Sequence, residues 1–234
     1  MVKTIAYVDG FNLYFACFHH QEFQEDGERR RRDPLFERLQ RGKWLDIGAP
    51  LRRVSPDAPP DVIHYFTARV SSPASDPDRA ERQQTYLRAL EWAGVNVHIA
   101  QFKKVTKPGR LKTRIACQAA IRSVPDRVHV ELREEKGSDV HLGAMLVRDA
   151  FTSRFERAIV VSNDTDLAPA IDMAVAQAGK TVHVISPYRQ PSTTLQRVAS
   201  NMEPLARELI LECQLPDEIR VNEKRRITKP AAWH

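Results

Sequence analysis

Cysteine is scarce in this sequence. The 234 residues hold only Cys17, Cys117 and Cys213, an odd number, far apart and with no CxxC pair. That argues against a disulfide framework and a cysteine-ligated zinc site, and it fits a reducing compartment. Long apolar runs are also missing. None reaches the length of a membrane span, and no signal-like apolar region precedes the first strand-like run in "MVKTIAYVDG". The sequence therefore predicts a soluble, cytoplasmic protein with no membrane partner. There is no internal repeat. His19, His20, His64, His98, His129, His141 and His183 show no ligand spacing and are expected on the surface or in packing. What the chain does have is a hydrophobic fraction of 42%, enough for the core of one generous domain. A net charge of +6 and a pI near 9.4 are compatible with an anionic partner such as nucleic acid.

Along the chain, strand-like and helix-like patterns alternate. "TIAYV" (4–8), "VIHYFTARV" (62–70), "VNVHIAQF" (95–102), "AIVVS" (158–162) and "TVHVIS" (181–186) are β-branched runs that read as core strands. Helical patterns follow them: 12–18, 76–94 with Asp76 as N-cap, 138–151, 167–179 and two more up to Cys213. "RVHVELR" (127–133) alternates like an edge strand. "KKVTKPGRLKTR" (103–114) reads as a basic loop. Residues 19–60 are polar and Pro-containing and read as an insertion with one or two short helices. Residues 214–234 read as a basic, irregular tail. The pattern predicts one α/β domain over 1–213, a mainly parallel sheet with helices on both faces. Ligands of such sheets bind beyond the strands' carboxyl ends, near the topological switch point.

"AIVVSNDTDLAPAI" (158–171) ends an apolar run on Asp164 and Asp166. Asp9 closes the first strand in the same way, and Asp139 stands at a helix start. Each of these positions suits an N-cap, as do Ser138 and Thr165. If the first and fourth core strands are neighbours, however, the acids converge. Two carboxylates about 4 Å apart repel by roughly 4 kcal/mol at an effective dielectric of about 20, whereas a cap returns only about 1 kcal/mol. Convergence therefore calls for a cation or for shifted pKa values. An all-oxygen donor set favours Mg²⁺ or Mn²⁺.

"YVDGFNLYF" (7–15), "EEKGSDVHLGAMLVRDA" (134–150) and "VVSNDTDLAPAI" (160–171) resemble the three signature blocks of the NYN-domain family, a branch of the PIN-like metal-dependent ribonucleases. "KWLDIGAPL", "YFTARV" and "KPAAW" resemble its bacterial branch. The resemblance implies a Rossmann-like, three-layer sandwich of strand order 3-2-1-4-5, a carboxylate cluster binding Mg²⁺ or Mn²⁺, and hydrolysis of RNA. By match to the motifs, Asp9, Asp139, Asp164 and Asp166 carry over as metal-site acids, and Asn12 as a polar residue beside them. Asn163 departs from the glycine more usual before the first aspartate of its block. Asparagine tolerates unusual backbone angles, so the turn is expected to survive.

A metal in such a cluster polarises a phosphodiester oxygen and acidifies a bound water. Lys136 and Ser162 are candidates to meet the phosphate. Arg29, Arg30, Arg31 and Arg32, together with Lys103, Lys104, Arg110 and Lys112, are candidate contacts to an RNA backbone. Asp149 and Asp172 read as surface charges, and Trp44 and Trp92 as core. Two rival readings differ from this one. A haloacid-dehalogenase-type phosphatase needs a second acid just after the first strand, and "DGFN" lacks it. An RNA-binding or scaffold module without turnover remains the alternative, to be separated by product formation on single-stranded RNA with Mn²⁺. Self-association is left open.

Overall fold

The computed structural model describes residues 3–19, 38–110 and 127–234; for 101–105, 110, 127–128 and 131–136 it describes the backbone only. Among these residues seven strands form one sheet: β1 (Thr4–Asp9), β2 (Val62–Ala68), β3 (Val95–Arg110), β4 (Arg127–Lys136), β5 (Arg157–Val161), β6 (Thr181–Ser186) and β7 (Asn201–Pro204). Their order is β4-β3-β2-β1-β5-β6-β7. All pairs are parallel except β3 with β4. The five core strands of the sequence reading are β1, β2, β3, β5 and β6, in the expected order 3-2-1-4-5.

The helices are α1 (Gly10–Phe18), α2 (Gly48–Val54), α3 (Arg79–Trp92), α4 (Ser138–Phe151), α5 (Ala168–Asp172), α6 (Thr193–Val198) and α7 (Arg207–Glu212). A π-helical turn, Met173–Gln177, prolongs α5. Strand alternation divides the core into two layers. Ala6, Val8, Ile159 and Val161 point into one, with Leu13 of α1, Leu51 of α2 and Leu90 of α3. Ile5, Tyr7, Ala158 and Val160 point into the other, with Leu142 and Leu146 of α4 and Ile171 of α5. The result is the helix–sheet–helix sandwich that the resemblance implied. Among the described residues, no helix is long and apolar enough to cross a membrane.

The chain builds β1, β2 and β3 outward in one direction, then returns to place β5 on the other side of β1. The switch point therefore lies between β1 and β5. Val8 pairs with Val161, so Asp9 and Ser162, the next residues, leave the sheet side by side.

Several expectations are corrected. The segment 103–110 is no loop. β3 runs on through it and pairs with β4 from Gln101↔Lys136 to Arg110↔Arg127, Lys103 opposite Glu134. Val105 and Thr106 are good strand formers, and β4 supplies the partner that the local reading did not have. Residues 111–114, with Lys112, lie outside the described residues. Strand β7 is not evident in the sequence pattern. Helix α3 begins at Arg79 after Asp78, and Asp76 is instead paired with Arg82 at 2.6 Å. Trp92 is 49% exposed; it is the last residue of α3, beyond the packed face. Asp149 is 1% exposed. His64 and His98 do pack, Nδ1 to Nε2 at 2.9 Å, with His98 stacked on Phe66.

The part of the polar stretch that is described, 38–60, contributes Leu39, Trp44, Leu45, Ile47 and Leu51 to the core. The C-terminal segment fastens it there. Leu215 N–H donates to the Trp44 carbonyl at 3.0 Å and Asp46 N–H to that of Cys213 at 2.9 Å, while the Trp44 indole donates to Pro216 O. Residues 218–228 then form a hairpin, β8 (Glu218–Arg220) with β9 (Arg226–Thr228), that buries Ile219 and Ile227. The tail is thus ordered, because its apolar residues close one core layer.

Candidate active site

The site grows from the ends of β1 and β5. Asp9 caps α1, its Oδ1 accepting from Asn12 N at 2.9 Å. Its Oδ2 accepts from Ser162 Oγ at 2.9 Å. The same Ser162 oxygen accepts from Asp164 N at 3.1 Å, and Asp164 Oδ1 accepts from Asp166 N at 2.9 Å. Asn12 crosses between the strands, its Oδ1 accepting from Asn163 N at 2.8 Å. One chain of hydrogen bonds therefore links both strand ends. Asp9 and Asp164 each cap the turn that follows and also stand in the crevice between the two strand ends.

Asp9 is 3% exposed. Burial pushes its carboxyl up to about 7, and the charges of Asp139 and Asp164 push the same way, against the Asn12 N–H and the Ser162 hydroxyl. Two of the predicted acids thus stand within electrostatic reach of the buried one. Asp139 is half-buried in the first turn of α4. That helix is capped by neither Ser138 nor Asp139. It starts from Gly137 at φ 102°, a left-handed turn that favours glycine, with no side-chain cap. Asp166 is exposed; its contribution here is the backbone N–H that Asp164 captures.

Among the described residues, no three His, Cys, Asp or Glu side chains are grouped so that they could hold a metal ion. The donor chemistry suits a hard cation, since every candidate is an oxygen. The spacing in this structure does not gather them into one coordination sphere, and both Asp9 oxygens are engaged by the protein.

Two aspects went unseen in the sequence. Tyr188, after β6, has its hydroxyl pKa raised by burial and by nearby Cys17, Asp9 and Asp164. Its backbone is held by Ser186, whose hydroxyl accepts from Tyr188 N and donates to Tyr188 O. Nothing in a lone tyrosine after a strand announces this. Asn163 does not need the backbone freedom expected of it, because it is not among the residues with positive φ. Its side chain instead accepts from Ser192 N at 2.7 Å, tying the start of α6 to the site.

Of the candidate RNA contacts, Ser162 lies inside the site. Lys103, Lys104 and Arg110 lie on β3, and Lys136 ends β4 next to Gly137; these four are placed by backbone only. Arg29, Arg30, Arg31, Arg32 and Lys112 lie outside the described residues.

Comparisons with known proteins bear on this geometry. A 6-hydroxy-3-succinoylpyridine 3-monooxygenase of Pseudomonas putida is 29% identical over 256 residues, spanning 100% of this chain and 76% of that protein. A crystal structure of a protein of unknown function from Vibrio parahaemolyticus superposes with a TM-score of 0.50 at 16% identity, over 88% of this chain and 94% of that one, a likeness of fold. The family model of the NYN domain matches residues 3–206, all seven strands of the main sheet and every aspartate of the crevice, and the chain belongs to the NYN-domain family.

Proposed function

We propose that this protein is a metal-dependent nuclease that hydrolyses RNA phosphodiester bonds in the crevice between β1 and β5. The observation that carries the reading is Asp9: a buried carboxylate at the switch point, its pKa raised by burial and by Asp139 and Asp164. Such an arrangement costs stability when charged and gains most from a cation. Asp9, Asp139 and Asp164, with Asp166 at the rim, are the residues that would hold Mg²⁺ or Mn²⁺, as is typical of PIN-like nucleases. Asp139 and Asp164 lie within electrostatic reach of Asp9. A bound ion would supply a polarised phosphodiester oxygen and an acidified water. The chain's own part is orientation. Asn12 and Ser162 fix the Asp9 carboxylate, the Asp164 turn is held by Ser162 and by the Asp166 N–H, and Lys136, Lys103, Lys104, Arg110 and the arginines 29–32 attract phosphate.

The test uses labelled single-stranded RNA and DNA of one sequence, with Mn²⁺ and with EDTA. Cleavage of RNA that needs the metal and disappears in Asp9→Asn and Asp164→Asn is expected. RNA binding without product would instead leave the binding module, with the same fold and no turnover.

A second reading, hydroxylation of a small heteroaromatic molecule, is favoured by the monooxygenase activity for which the Pseudomonas relative is named and by an aromatic-walled cavity beside Gly10. Conversion of 6-hydroxy-3-succinoylpyridine, with RNA left intact, would decide for it.

A further inference from the structure

Between α1, the carboxyl end of β2, the start of α3 and the C-terminal turn lies a cavity of about 140 Å³. Tyr14, Tyr65, Tyr86 and Trp233 contribute its aromatic walls. Tyr86 and Trp233 meet edge to face at 6.1 Å, and the Tyr86 hydroxyl donates to the Leu45 carbonyl, which fixes that wall. Gly10 forms part of the lining. A Cβ there would meet the Tyr65 ring at 2.5 Å and the Phe66 carbonyl at 2.8 Å, so only glycine lets α1 start this close to β2. The backbone step that follows Asp9 is therefore also a wall of the cavity, and Tyr65 feels the Asp9 charge.

The lining also carries cations. Lys43, Arg79 and Arg82 stand against one acid, Asp76. Arg82 already holds both Asp76 oxygens at 2.6 Å. Lys43 and Arg79 form no ion pair with the described residues. Burial, and then the charge of Arg82, lower the proton affinity of Lys43; an anion beside it would offset both. A space of about 150 Å³ accommodates a benzene-sized ring. Tyrosine and tryptophan faces are sequence-tolerant platforms for such rings.

We propose that this cavity binds one planar, six-membered aromatic ring that carries an anionic group, the ring against Tyr14, Tyr65 and Trp233 and the anion at Lys43 and Arg79. The ring has two sources: a pyrimidine nucleotide unit of an RNA, or a free aromatic acid. The site needs no metal and no reaction at Asp9, so it stands apart from the proposed nuclease activity and can fail separately from it.

The experiment is calorimetric titration of the full chain, in EDTA, with uridine 5′-monophosphate and with benzoate. Uridine, benzamide and cyclohexanecarboxylate serve as uncharged and non-aromatic counterparts. Saturable binding at one site is expected for at least one of the two anions. Its counterparts should bind roughly tenfold more weakly or worse, since charge-assisted contacts are the strong ones. Lys43→Ala and Arg79→Ala, each checked for an unchanged melting temperature, should weaken the anion by a similar factor and leave uridine and benzamide as they were. Tighter nucleotide binding identifies an RNA unit as the source, and tighter benzoate binding a free acid. The proposal is overturned if neither anion saturates, if cyclohexanecarboxylate or the uncharged rings bind as tightly, or if both folded variants bind the anion unchanged.

Discussion

Among the described residues, two aspartates are almost wholly withdrawn from water, Asp9 at 3% exposure and Asp149 at 1%, and they live in opposite company. Asp149 accepts from the Tyr7 hydroxyl at 2.8 Å and from Arg148 Nε at 2.9 Å, with Arg154 Nε 3.9 Å away. Asp9 accepts from one backbone N–H and one serine hydroxyl, and its charged neighbours are Asp139 and Asp164. Burial alone therefore separates nothing. A buried carboxylate with cations and a phenol around it holds the fold together. A buried carboxylate with more carboxylates around it is held ready for something positive.

The largest effect expected from this contrast is in pH dependence. The folded-state pKa of Asp9, about 7, lies above its ordinary value of 3.8. Between those values the folded chain keeps a proton that the unfolded chain has released, so stability falls as pH rises through that window and is level above it. A displacement of this size is worth at most roughly 4 kcal/mol. Urea melts in EDTA from pH 4 to 8 should show Asp9→Asn losing most of that decline. Parallel curves for the two proteins would place the charge burden elsewhere.

Next is Asp149. Asp149→Ala strips the buried Tyr7 hydroxyl of its acceptor and Arg148 of its partner, and should cost about 3 kcal/mol at neutral pH, read as a lower urea midpoint with RNA cleavage retained at low temperature. Loss of cleavage without loss of stability would erase the distinction between the two aspartates.

Metal gives a somewhat smaller signal. Mn²⁺ at about 100 times its dissociation constant should stabilise the folded chain by roughly 2.7 kcal/mol. The gain should be present at pH 8 and fade toward pH 5, where Asp9 holds its proton. It should survive in a mildly destabilised Asp149→Asn and vanish in Asp9→Asn. An unmoved melting temperature in the parent protein would count against any cation at this crevice.

The smallest effect separates neighbours within one block. Asp166→Asn, at an exposed position, should change stability by no more than about 0.5 kcal/mol and leave the metal gain nearly intact. Asp164→Asn should shrink that gain clearly. Equal responses would make Asp166 a full partner of Asp9.

Strand ends were the most legible part of the sequence. A β-branched run that stops on an acid marks both a boundary and a position on the sheet edge, so pattern put Asp9 and Asp164 on one edge, and the strand order implied by the resemblance made them neighbours. What escaped depends on partners far along the chain. Asp149 looks like a surface charge on an amphipathic helix until Tyr7, 142 positions away, donates to it. The run 103–110 looks like a basic loop until β4 is laid beside it. The tail looks irregular because Ile219 and Ile227 are isolated apolar residues in a charged stretch. Local composition carries none of these contacts.

The fastening of Trp44 by the C-terminal segment has a consequence for biosynthesis. The indole and its acceptor, Pro216, are 172 positions apart, and Trp233 lies later still against the same ring. At about 5–20 residues per second, roughly ten to thirty seconds pass between the synthesis of Trp44 and that of its C-terminal cover. That core layer therefore closes only after residues 213–233 have been synthesised, and until then the ribosome presents a tryptophan-bearing apolar face of the kind that chaperones engage.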